Sequence, residues 1–112
     1  MITKKRLIVP IFDYTINIVI YDRWSDLENI LDDDLYRDSR SKGITVNYGS
    51  YSLVCIDKKY YSTIVHEAGH LVNSIWRYIG YTPQRDNDEP SQYLLTYLFE
   101  KIESVWKKHI TN

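Results

Sequence analysis

The chain is poor in the features that usually declare a protein's class. It has one cysteine in 112 residues, so an intrachain disulfide framework is excluded. Its net charge is −1, and no basic stripe stands out. That gives no support for binding nucleic acid or another polyanion. The short run Lys4-Lys5-Arg6 reads as a solvated N-terminal segment. No stretch approaches the roughly 20 apolar residues of a membrane span. The apolar run near the start is broken by Pro10 and Asp13 and is followed by no small-residue cleavage site, unlike a signal peptide. No repeat, linker or low-complexity tract is present. The expectation is one soluble, cytoplasmic domain over residues 1–112, with no nucleic-acid or membrane partner. Oligomeric state is not legible.

Aromatic residues are plentiful instead. There are eleven Tyr and three Trp, suited to a thin core or to lining a cleft because tyrosine joins an apolar body to a polar tip. A domain of this length buries roughly 65% of its unfolded surface, enough for one core. Cys55 falls in an apolar run and reads as a buried thiol.

Periodicity divides the chain. Residues 6–9 suit a short strand. Residues 11–21 alternate, with Phe12, Tyr14, Ile16, Ile18 and Ile20 on one face and Asp13, Thr15 and Asn17 on the other, the pattern of a half-buried strand. A helix is expected from Ser25, with Ser25 and Glu28 as a capping box, loosening at Asp32-Asp33-Asp34 into a loop through Gly43. Strands at 44–48 and 51–56 flank Gly49-Ser50, a two-residue hairpin turn. Asp57 can cap a long helix from about Lys59 to Ile79, stopped by Gly80. A last helix runs from about Asp88 to His109, with Pro90 tolerated in its first turn. The fold class is therefore α+β, a small antiparallel or mixed sheet packed on two long helices.

The richest motif is His66-Glu67-Ala68-Gly69-His70, which fits H-E-x-x-H. Helical residues four apart share a face, so both imidazoles can address one metal ion, and Glu67 can take a proton from a metal-activated water. At about 100° per residue, Tyr60, Ile64, Val65, Ala68, Leu71, Val72, Ile75, Trp76 and Ile79 fill one arc. Lys59, Thr63, His66, His70, Asn73 and Arg77 fill the opposite stripe, with Glu67 at its edge. The histidines thus face solvent or a cleft rather than the core.

Catalytic zinc takes three protein ligands and leaves one position open. A third donor is expected in Asp86-Asn87-Asp88-Glu89, where the last helix begins. Glu89 is the first choice and Asp88 the second, although acids there also suit a helix N-terminus.

HEAGH followed by a glutamate about twenty positions later resembles the gluzincins, thermolysin-like zinc peptidases, and the small size resembles the single-domain minigluzincins. The stretch STIVHEAGHLVNSI followed by NDEPSQYLLTYL is also similar to small phage- or prophage-encoded HExxH proteins. The resemblance spans about Ser62–Leu98. It implies a minimal zincin-like fold, Zn2+ held by His66, His70 and Glu89, Glu67 as catalytic base, and hydrolysis of a peptide or protein substrate. Two departures stand out. Tyr93 occupies the place where thermolysin-like enzymes carry a supporting aspartate. No clear histidine or arginine follows to stabilise an oxyanion, leaving Tyr93, with Tyr97 and His109, as candidates for that role. An edge strand pairs with substrate in related folds, and Tyr51–Ile56 is the expected one here. Two alternatives are carried forward. One is a non-catalytic zincin-fold binding or regulatory protein, with or without zinc. The other is a site covered by the chain's own tail, Lys107–Asn112, with His109 as a plug; the simpler reading of His109 is a solvated helix end.

Overall fold

A computed structural model describes every residue, Met1–Asn112. Four strands form one mixed sheet: β1 (Ile2–Val9), β2 (Tyr14–Tyr21), β3 (Gly43–Asn47) and β4 (Tyr51–Asp57). Their spatial order is β1-β2-β4-β3. β2 and β4 run parallel in the centre, with Tyr21 opposite Asp57, and β1 and β3 are antiparallel edges. Three helices complete the α+β fold: α1 (Asp33–Asp38), α2 (Thr63–Ile79) and α3 (Glu89–Thr111). No helix is long and apolar enough to cross a membrane.

The central strands explain where the apolar residues went. Alternation along β2 sends Tyr14, Ile16, Ile18 and Ile20 to the face covered by α2 and α3, where they join Val54 and Ile56 of β4. The opposite face is also covered. Val19 and Tyr21 pack there with Leu53 and Cys55 beneath Trp24, Leu27 and Leu31. A strand buried on both faces loses the clean polar alternation of a half-exposed one. The edges carry polar and charged residues instead, Lys4, Lys5 and Arg6 on β1 and Thr45 and Asn47 on β3, which discourages unwanted strand pairing.

Several boundaries differ from the sequence expectation. β1 is longer than residues 6–9, because its charged stretch is an edge and tolerates exposure. Residues 10–13 form the β1–β2 turn rather than the start of β2, so Phe12 leaves the strand face and meets Trp76 edge-on at 5.7 Å. Ser25 does not start an α-helix. Trp24–Leu27 is a single 3-10 turn held by Asp26, whose Oδ2 accepts from the backbone N–H groups of Asp22 and Arg23 at 3.2 and 3.1 Å. The acidic run is helical, not loop. Asp32 caps α1 by accepting from the Leu35 N–H at 2.9 Å, and Asp33 and Asp34 then occupy a first turn that favours negative charge. Asp57 caps the turn before α2, accepting from the Lys59 N–H at 2.9 Å, which delays α2 until Thr63. The Gly49-Ser50 hairpin and the Gly80 stop stand as expected, each glycine at positive φ (92° and 76°).

α2 lies over β4 and β3, and α3 lies beside it over β1 and β2. The two helices run antiparallel. Trp76 near the end of α2 donates from Nε1 to Ser91 Oγ at 2.9 Å, and Tyr61 before its start hydrogen-bonds Glu103. One flank of α2 is therefore sealed by α3, while the other faces the edge strand β3.

Candidate metal centre

The open flank of α2 carries HEAGH. Ile64, Ala68, Leu71, Val72, Ile75 and Trp76 are buried against the sheet and α3, whereas His66, His70, Asn73 and Arg77 are exposed. Val65 and Ile79, expected in the buried arc, lie at its margins and are also exposed. A groove runs between this stripe and β3, walled by Gly43, Ile44, Thr45 and Asn47 on the strand side and by His66, Glu67, His70, Asn73, Ser74 and Arg77 on the helix side.

The imidazoles of His66 and His70 stand nearly perpendicular, with their Nε2 atoms 3.3 Å apart. Zinc–nitrogen bonds of about 2.0–2.1 Å at a tetrahedral angle would separate two ligand nitrogens by about 3.3–3.4 Å. The pair thus fits two adjacent corners of a zinc site. Glu67 is buried, at 5% exposure, yet its carboxylate reaches the groove. Its Oε2 is 3.8 Å from His66 Nε2, and its Oε1 accepts a 2.7 Å hydrogen bond from the Thr45 hydroxyl of β3. That bond fixes the carboxylate beside the histidines and ties helix to strand.

Gly43 allows the close approach. A Cβ there would lie 2.6 Å from Thr63 Cγ2, 3.0 Å from the Cys55 carbonyl oxygen and 3.3 Å from Glu67 Cγ. Any larger residue would push β3 away from α2 and disturb Glu67. Behind the groove, Cys55 is buried and free. Burial, aided by the nearby negative charge of Glu67, pushes its thiol up to about 12, so it is an inert packing group, as its apolar context suggested.

The rest of the expected site is not assembled. Nowhere do three His, Cys, Asp or Glu side chains gather so as to hold a metal ion, and neither Glu89 nor Asp88 lines the groove. The reason is topological. Both precede or open α3, and α3 packs on the flank of α2 that carries Trp76, away from the imidazoles. A helix that returns antiparallel brings its first turn near the end of α2, as expected, but on the wrong side. Tyr93 shares that displacement. It is 72% exposed and lines an apolar cavity with Phe12, Trp76 and Tyr97, so neither tyrosine faces the groove as an oxyanion donor.

His109 is not a solvated helix end either, nor a plug. It is buried, with Nε2 2.7 Å from Asp22 Oδ1 and Nδ1 2.7 Å from Thr3 Oγ1. Because the carboxylate only accepts, Nε2 carries the proton. The contact, reinforced by Lys58, holds the Asp22 carboxyl at about 2 despite some opposing desolvation. His109 thus pins the end of α3 to β1 and to the end of β2, and the tail at Lys107–Asn112 lies there rather than over HEAGH. The expected substrate strand also changes. Tyr51–Ile56 belongs to β4, which is paired on both sides, and the free edge beside the histidines is β3.

Thr45, Gly43 and the Asn73–Arg77 end of the stripe complete the groove, and only the last was visible as part of a helical pattern. The roles of Thr45 and Gly43 depend on which strand borders α2, which no local pattern encodes. Compared with known protein families, with curated proteins and with solved structures, the chain matches none.

Proposed function

We propose that the groove between α2 and β3 is the site of a zinc-dependent peptidase of minimal zincin-like form. The observation that carries the reading is the facing pair of imidazole Nε2 atoms 3.3 Å apart beside a buried, hydrogen-bonded glutamate. His66 and His70 would hold the ion. Zinc bound there would supply Lewis acidity toward a carbonyl and toward a water molecule.

The chain's own residues do the remainder. Glu67 accepts the proton of the attacking water and passes it to the departing amine. Thr45 holds the carboxylate in place for both transfers. The unpaired edge of β3 offers backbone N–H and C=O groups to an extended peptide, which adds as a further strand and so runs its scissile bond past Glu67.

The missing third carboxylate favours a second reading, a binding module that holds an extended segment on β3 without cleaving it. One experiment separates the two. Zinc-loaded protein is incubated with a mixed peptide library and the products are read by mass spectrometry. The peptidase reading expects cleavage that disappears in Glu67→Gln while zinc is retained. Peptide binding without cleavage in the zinc-loaded protein would overturn it in favour of the binding module.

A further inference from the structure

A second cavity, of about 560 Å3 against about 430 Å3 for the HEAGH groove, lies just ahead of the N-terminus of α2. It sits where β2 and β4, parallel neighbours, both end. Asp22 and Arg23 follow β2, and Asp57 and Lys59 close β4. The carboxyl ends of parallel strands are where loops diverge and open a crevice for ligands.

Its wall has a distinct chemistry. Four cations line it, Arg23, Arg40, Lys42 and Lys59, and none of them takes part in an ion pair. They come from three separate connections, yet converge on one cavity in a chain whose net charge is only −1. Two carboxylates, Asp22 and Asp57, share the wall with the four cations, so the formal charge of the lining is positive. Asp22 is bound to His109, Lys58 and the N-terminal amine, and Asp57 to the backbone of Lys59. The apolar part of the wall is wholly aromatic: Trp24, Tyr36 and Tyr60. Trp24 and Tyr36 stack at 6.0 Å, and Lys42 stands 4.9 Å over the Tyr60 ring.

Unpaired guanidinium and ammonium groups recognise phosphate oxygens, and aromatic faces recognise a planar base. We infer that this cavity binds a nucleoside polyphosphate, the cations taking the phosphates and the half-exposed Tyr60 ring, on the face that Lys42 leaves open, taking the base. The site is independent of HEAGH and does not rest on the peptidase reading.

The test is isothermal titration of the full chain with ATP, adenosine, inorganic pyrophosphate and a single-stranded oligothymidylate. The variants are Arg40→Gln/Lys59→Gln, Tyr60→Leu and, as a control, His66→Ala/His70→Ala. Circular dichroism checks that each is folded; all five positions are exposed. The expected result is one ATP per chain, binding weakened by about tenfold or more in the double charge variant, weakened in Tyr60→Leu, falling with salt, and unchanged in the histidine control. Adenosine and pyrophosphate are each expected to bind less tightly than ATP. No ATP binding at millimolar concentration, or binding indifferent to Arg40→Gln/Lys59→Gln, would overturn the assignment. So would pyrophosphate binding as tightly as ATP with Tyr60→Leu silent, or an oligonucleotide binding more tightly than ATP through the same cations.

Discussion

The two flanks of α2 are built on opposite principles. Toward α3, Trp76 meets Phe12 edge-on, stacks obliquely on Tyr81 at 4.7 Å and hydrogen-bonds Ser91. Toward β3 there is one buried carboxylate, one threonine that holds it, and a row of exposed polar side chains. The first flank holds the helix in position, and the second presents it. A helix anchored firmly on one side can afford an open, polar groove on the other, so stability and chemistry should separate by flank under mutation.

The largest expected effect lies on the packed side. Trp76→Ala removes a buried indole and is expected to destabilise the fold by about 3–5 kcal/mol, measured by urea unfolding. A loss below 1 kcal/mol would mean that α3 does not anchor α2. Next comes the seam between the flanks. Gly43→Ala forces a Cβ against Thr63 and the Cys55 carbonyl, and overpacking of this kind costs about 1–3 kcal/mol. Because the displaced strand carries Thr45, any peptide hydrolysis should fall more than stability alone accounts for, seen as reduced turnover at a temperature where the variant is still folded.

Acid sharpens the comparison at the far end of α3. Asp22 has a folded-state pKa of about 2, below its ordinary value of 3.8. A depressed carboxyl stabilises the fold above the unfolded pKa, and that contribution is lost as pH falls from about 4 to about 2. Thermal melts across this window should lose stability in the wild type, and Asp22→Asn should flatten that part of the profile. An unchanged profile would break the link between His109 and Asp22. The smallest effect belongs to the open flank. His66→Ala, an exposed change, is expected to alter metal-free stability by no more than about 0.5 kcal/mol, and Glu89→Gln to leave zinc affinity unchanged. A tenfold loss in Glu89→Gln would mean that α3 reaches the site after all.

The same division explains what could be read from the chain alone. The α2 stripe was legible because 3.6-residue periodicity is local, and it placed His66 and His70 on an exposed face correctly. The β2 alternation and the Gly49-Ser50 turn were legible for the same reason. Glu89 lies off the groove because antiparallel return fixes which end of α3 meets α2 but not which flank it covers. The choice of Tyr51–Ile56 as substrate strand failed likewise: adjacency in sequence to α2 does not say whether a strand is central or an edge. His109 was read as solvated because nothing local shows that Thr3, 106 residues away, and Asp22 would receive its ring. In each case the missing quantity was the order of elements across the sheet.

The most direct measurement of the central claim is a zinc titration of metal-free protein, followed calorimetrically in the wild type and in His66→Ala/His70→Ala. One zinc ion per chain, lost in the double variant while the fold is kept, is the result expected of two imidazoles poised 3.3 Å apart. No zinc binding in the wild type, or binding that survives removal of both histidines, would contradict it.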